Sequence, residues 1–511
     1  MELVVKTRDG TPVTHDVTKN TVRMVGADGK TVDFVLPGEG SGSGGSGGTS
    51  GSTPIITEPE WIDDVCFWDY DGTLIQHFPV EDAAELSELP TPPAHDGLTF
   101  LGWNYTLEQV RDTEYPLDIG AMYITADGKT RLHLSVTNKS YLTVPLNWSQ
   151  TVENGVSIDW GDGTAATTVT GTGVVKTSHK YSAIGEYDVT ITVADGCTMT
   201  LGGGSSATVF VGGSTTTYKG YLRELYIGRG VAFSAYCLAQ ASSLELLTIP
   251  DTITSIPVSC ITQHTRIRTL IIPNSVTALE GSAVQNLGDY KYRYDKLTIS
   301  IPESVTSMGT GCCKGSFCKR LVLPRSITSI PDNAVCGLYL AVRVFMSDSV
   351  TEIGNSNFAW GLPHLQNIVL PKSLKTIGNY FGYQAYALRE LTIPDGVTSI
   401  GTNFCYGTHL EELVIPGSVT SIGDSFLYDA GGVRRVVFKN TFARPITSSG
   451  AISEILYLNN AEPTAVAHGG YYCEIYVADS AFDAYYAKIG SDYKNRVHPL
   501  SEYPGELLKY E

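Results

Sequence analysis

Residues 65 to 75 read Val-Cys-Phe-Trp-Asp-Tyr-Asp-Gly-Thr-Leu-Ile, an apolar run ending in two closely spaced carboxylates. Asp69 has the type and position of a carboxylate nucleophile and Asp71 that of a general acid, a pair suited to a covalent aspartyl intermediate. Other residues with chemical potential are scattered. Gly-Gly-Ser-Gly-Gly at 44 to 48 matches a serine-nucleophile pattern, but it has no strand before it and no helix after it. Cys312, Cys313 and Cys318 cluster without a second pair at zinc spacing, and the ten histidines form no metal-binding motif. Asp159 and Asp162 could hold a cation, although in Asp-Trp-Gly-Asp-Gly they suit turn capping better.

The run at 65 to 75 resembles the first motif of the haloacid dehalogenase hydrolases, which implies a phosphatase. That fold needs a doubly wound α/β sheet downstream. The segment after Thr73 is Pro-rich and then β-patterned, without alternation of strand and helix. Asp69, Asp71 and Gly72 are therefore read as a hairpin turn. No enzyme, metal site or cofactor is expected.

Composition points the same way. The chain has 511 residues, 42% apolar, with 53 acidic against 35 basic residues and a formal charge of −18. That charge repels nucleic acid and anionic membranes. Abundant Gly (53) and Tyr (29), with only 17% charged residues, suggest a β-rich extracellular or virion protein. The ten cysteines lack a disulfide framework and read as mostly buried free thiols. No stretch reaches membrane-spanning length, and the N-terminus shows no apolar leader, so neither membrane insertion nor export by a signal peptide is expected.

The predicted architecture is mainly β. Residues 1–37 form a small N-terminal β anchor with a turn at Asp28-Gly29, and 38–57 a Gly/Ser-rich flexible linker. Residues 58–141 carry Val65, Phe67, Gly72, Thr73, Pro90, Pro93, Gly97, Phe100, Gly102 and Trp103, which resemble the internalin B-repeat type of β-grasp module. Residues 142–200 carry Asp159-Trp-Gly-Asp-Gly-Thr164 and, later, His179, Tyr181, Gly185, Tyr187 and Val189. These resemble a PKD domain, which implies an immunoglobulin-like sandwich.

From 201 to 478 a unit of the form Leu-x-x-Leu-x-Ile-Pro-x-x-Val-Thr-Ser-Ile-Gly recurs, with prolines at 250, 273, 302, 324, 371, 394 and 416 and a degenerate copy at Ser347. Weaker copies precede it at 222–233 and come after it at 433–440 and 452–460. A period near 23 predicts a solenoid with one short strand per coil. The repeats resemble the BspA-like leucine-rich repeats of bacterial and phage surface proteins. The stretch from Tyr476 to Leu500 reads as a last strand plus an amphipathic helix, and residues 479–511 as a polar C-terminal cap.

In four coils an aromatic comes after a core Phe at the same offset: Trp360, Tyr383, Tyr406 and Tyr428. Such a row, if exposed, suits sugar rings or a protein hot spot, whereas rings that cover one another between coils would be structural. Tyr290, Tyr292 and Tyr294, in the one coil of 29 residues, are a second candidate. The expected function is a virion protein, a head or tail fibre or decoration. Residues 1–37 would dock on a capsid or tail protein, and the repeats, in many copies, would bind a host-surface glycan, protein or mucus. The alternative is a bacterial cell-surface adhesin. The absence of a leader favours the virion reading.

Overall fold

The computed structural model divides into two units, Met1–Ile55 and Ile56–Glu511. It describes four strands within residues 2–35, and residues 59–505 apart from 213, 265, 289–296, 360–361, 429, 431, 440–472 and 489–495. The turn at Asp28-Gly29, the linker 38–57 and the weak repeat at 452–460 lie outside the described residues.

The first unit is an antiparallel meander of β1 (Glu2–Lys6), β2 (Pro12–Asp16), β3 (Thr21–Val25) and β4 (Thr31–Val35). Its register pairs Leu3 with His15 and Val22 with Phe34. The strand at Pro12–Asp16 was not singled out by the sequence pattern.

The second unit opens with a sheet of β5 (Asp64–Trp68), β6 (Leu74–Pro79), β7 (Leu98–Trp103) and β8 (Asp118–Thr125), ordered β6-β5-β8-β7 with β5 and β8 parallel. All residues of β8 are buried, because both faces of this strand are covered. The module's core holds Val65, Phe67, Trp103, Tyr105, Leu117, Ile119 and Tyr123. Trp103 stands edge-on to Phe67 at 5.0 Å and donates through Nε1 to the Pro90 carbonyl.

Two further sheets come next along the chain. Their strands are β9 (Thr130–Val136), β10 (Thr143–Gln150), β11 (Val156–Asp159), β12 (Thr167–Thr168), β13 (Gly173–Lys180), β14 (Gly185–Val193) and β15 (Met199–Leu201). Three strands of the first repeats complete them: β16 (Leu222–Tyr226), β17 (Val231–Phe233) and β18 (Leu246–Thr248). The orders are β13-β10-β15-β17 and β12-β11-β14-β9-β16-β18. Alternation along β14 buries Val189 and Ile191 against Trp148, Trp160 and Tyr181 in one shared core. The segment 130–136, which the sequence places before a boundary at 142, pairs with Gly185–Ile191 in this sheet.

The sheets do not stop where the repeats begin. β9 pairs antiparallel with β16, and β16 pairs parallel with β18. On the other side β15 pairs parallel with β17. One hydrophobic cluster runs from Leu132 through the repeats to Val497, so the two-sheet segment closes the solenoid's first coil and spares it an open end.

Each regular coil repeats one hydrogen-bonded turn at its proline: Ile253 N to Pro250 O, Val276 N to Pro273 O, Val397 N to Pro394 O, and, in the degenerate copy, Val350 N to Ser347 O. Where one strand per coil was expected there are two. Besides the strand at Leu-x-Ile, the Thr-Ser-Ile segment pairs with the next coil, giving a five-stranded parallel ladder through Ile330, Ile353, Ile377, Ile400 and Ile422. The β-branched alternation of that segment suits a pleated, half-buried surface. Between them runs a side-chain ladder in which Asp332, Asn355 and Asn379 each accept the backbone N–H of the next coil's member, Asn355, Asn379 and Thr402 in turn. At the far end Glu474–Val477 and Val497–Pro499 extend the sheet after Arg435–Phe438, with the helix Asp479–Lys488 between them.

Candidate functional site

Asp69 and Asp71 are placed by a hairpin, as their Asp-Gly-Thr chemistry demands. Asp69 N donates to Thr73 O at 2.8 Å, Gly72 N to Asp69 O, and Thr73 N to the Asp71 carboxylate. Gly72 has φ +89°, a left-handed conformation that side chains rarely take. The structure adds a partner that sequence reading missed. Asp69 is buried, its Oδ2 lies 2.8 Å from His95 Nε2, and the rings of Tyr70 and Tyr123 pack edge-on to His95. Burial, and then the Asp69 charge, push the Tyr123 hydroxyl well above its usual range. The carboxylate is thus held in a ring-lined contact between the hairpin turn and the loop before β7.

The second Asp turn behaves similarly. Gly161 N donates to Asp159, Thr164 donates N–H and O–H to Asp162 Oδ1, and His179 Nε2 sits 2.7 Å from Asp162 Oδ2. Hydrogen bonding from Thr164 leads the causes that hold Asp162 down at about 2. All ten cysteines are free and buried. Burial raises Cys66 to about 12, the reverse of the environment a reactive thiol needs. Among the described residues no group of three or more His, Cys, Asp or Glu is arranged to hold a metal.

The most developed polar arrangement joins the β5–β8 module to the repeat sheet. Arg320, in the strand Arg320–Val322, is buried; its Nε donates to Asp118 Oδ2 at 3.1 Å and its Nη2 to Asp118 Oδ1. The same guanidinium donates to the carbonyls of Trp61, Ile62, Asp64 and Leu117. Nearby, Asn104 donates to Ile272 O and Ser300 Oγ, Tyr105 to Ile301 O, and Ser300 Oγ to Asp118 O. Gly120 lies so close to Ile271 that a Cβ there would meet its side chain. The module therefore covers the outward face of the repeat sheet from Thr248 to Phe345. Farther along, Val369 remains 73% exposed, with Asn367, Glu390 and Thr392 also exposed.

Of the predicted aromatic row, Tyr383, Tyr406 and Tyr428 are half-buried. They stack face to face, with centroids 4.6 Å and 5.2 Å apart. Both faces of Tyr406 are covered by its neighbours, so this ring presents only an edge. Tyr380, 39% exposed, stands edge-on to Tyr383. Beneath the row Phe358, Phe381, Phe404 and Phe426 are fully buried, with centroids 5.3 to 5.5 Å apart. Trp360, Tyr290, Tyr292 and Tyr294 lie outside the described residues.

Comparison with known families places the repeats. Residues 222–291 and 306–434 match six copies of the BspA type leucine rich repeat region. This part of the chain is a BspA-type leucine-rich-repeat region on a mainly β framework. A leucine-rich repeat protein from Bacteroides ovatus is similar at 20% identity, covering 50% of this chain and 66% of that one, with a TM-score of 0.38. A leucine rich cell surface protein from Faecalibacterium prausnitzii is similar at 14% identity over 66% of this chain and 97% of that one, TM-score 0.29. A leucine-rich repeat protein from Eubacterium ventriosum is similar at 18% identity over 49% and 75%, TM-score 0.25. No curated protein sequence matches the chain.

Proposed function

We propose that this chain is a non-catalytic, surface-displayed adhesive protein whose repeats bind a protein or glycan of a host surface. The observation that carries this reading is the tyrosine ridge at Tyr383, Tyr406 and Tyr428, which recurs at the coil period on a rigid, hydrogen-bonded solenoid. Because the rings stack on one another, the ridge offers a row of edges about 5 Å apart in place of open ring faces. A row of edges suits a protein surface or the hydroxyls of a glycan strand better than flat stacking on a sugar. Weak contacts repeated along the ridge, and over many copies, gain by avidity. The β5–β8 module and the two-sheet segment, which we read as internalin B-repeat-like and PKD-like, serve as spacer and cap.

The preferred site of display is the bacterial cell surface, supported by the BspA-type repeats. A second reading, a virion fibre docked through residues 1–37 on a capsid or tail protein, draws on the separate four-stranded unit at Met1–Ile55. Antibody against residues 222–434 distinguishes them. Labelling of intact cells supports the first reading, and its absence, together with recovery of the chain in purified particles, overturns it.

A further inference from the structure

Cys237 and Cys260 occupy equivalent stations of successive coils, with their thiol sulfurs 3.3 Å apart and both side chains buried. The match is set by the backbone. Tyr236 and Gln240 have φ of 61° and 64°, and Ser259 and Gln263, one coil on, have 51° and 61°. Three ladder bonds hold the two segments in register: Tyr236 N to Val258 O, Leu238 N to Cys260 O and Gln240 N to Thr262 O. The pair lies at the passage from the two-sheet segment to the solenoid, where Phe210 N donates to Cys237 O.

We propose that Cys237 and Cys260 form a disulfide that staples the first coil to the second when the chain folds in an oxidising environment. One thiol, deprotonated, attacks the disulfide of a small-molecule or oxidoreductase oxidant and expels one of its sulfurs as a thiolate. The second cysteine, deprotonated in turn, then displaces the remaining oxidant sulfur. The two electrons pass to the oxidant, the Cys237 Sγ–Cys260 Sγ bond forms, and the oxidant departs as two thiols carrying the two protons. Buried thiols exchange slowly, so the bond closes while the coils are assembling and is thereafter shielded from reductant. Cys312 and Cys313, with sulfurs 4.0 Å apart, are adjacent in sequence and link no coils. The staple does not depend on the adhesive reading, only on where the chain folds.

The test refolds the full chain in a glutathione redox buffer or in reductant, unfolds both samples, alkylates free thiols and counts adducts by intact mass. The expected result is two fewer adducts than the ten of the reduced chain, with a Cys237–Cys260 linked peptide in a non-reducing digest. Cys260→Ser and, separately, Cys237→Ala should each show no such loss. Ten adducts after oxidative refolding, or a loss that maps to Cys312–Cys313 or another pair, overturns the proposal.

Discussion

Single side chains in this protein act by pairing, and the pairs set its sensitivity to pH and mutation. Arg320 and Asp118 are both buried, and removing one leaves the other charge unpaired, at a cost of about 3–5 kcal/mol. Arg320→Ala is therefore expected to detach the β5–β8 module, visible as faster hydrogen exchange across 98–125 while the repeats past 367 keep their protection. The carboxylate of Asp162, held at about 2, contributes stability that is present above the ordinary carboxylate range and lost as pH falls from about 4 towards 2. Urea unfolding at pH 5 and pH 2.5 should show a larger drop for the wild type than for Asp162→Asn. The Asp-Gly-Thr turn at 69–73 was legible from turn chemistry alone. The His95 and Arg320 partners were not, because contacts across 26 and 202 residues leave no local signal.

At the scale of elements, periodicity decides what could be read. Proline positions and the Leu-x-Ile spacing reveal the coils, and the degenerate copy at Ser347 makes the same turn as the prolines do. The second strand at Thr-Ser-Ile was missed since two residues are too short to show alternation. The aromatic row was visible as a recurrence, but only the folded chain shows that its rings turn their faces to each other. The phenylalanine column below it shows how much each coil relies on the next. Phe404→Ala should cost about 3–5 kcal/mol, and hydrogen exchange should place the loss in the coils between 376 and 438 first, since neighbours share the damage before distant repeats do.

At the scale of the whole molecule, the repeats begin on strands supplied by the two-sheet segment. A chain starting at residue 214 would expose the edge of Leu222–Tyr226 that now pairs with Thr130–Val136. It is expected to aggregate or to lose structure in its first coils, measured by light scattering and far-UV circular dichroism against the chain from residue 56. Sequence patterns marked the segments, yet the continuity of one core through them comes from pairing registers that only the folded chain displays.

Adhesion through the tyrosine ridge is tested most directly by binding the full chain, and its Tyr383→Ser/Tyr406→Ser double variant, to arrays of host glycans, mucins and surface proteins. The folded variant, matched to wild type in melting behaviour, should lose at least about tenfold in binding, about 1.4 kcal/mol. Unchanged binding by the double variant would contradict a role for the ridge and leave its rings as packing between coils.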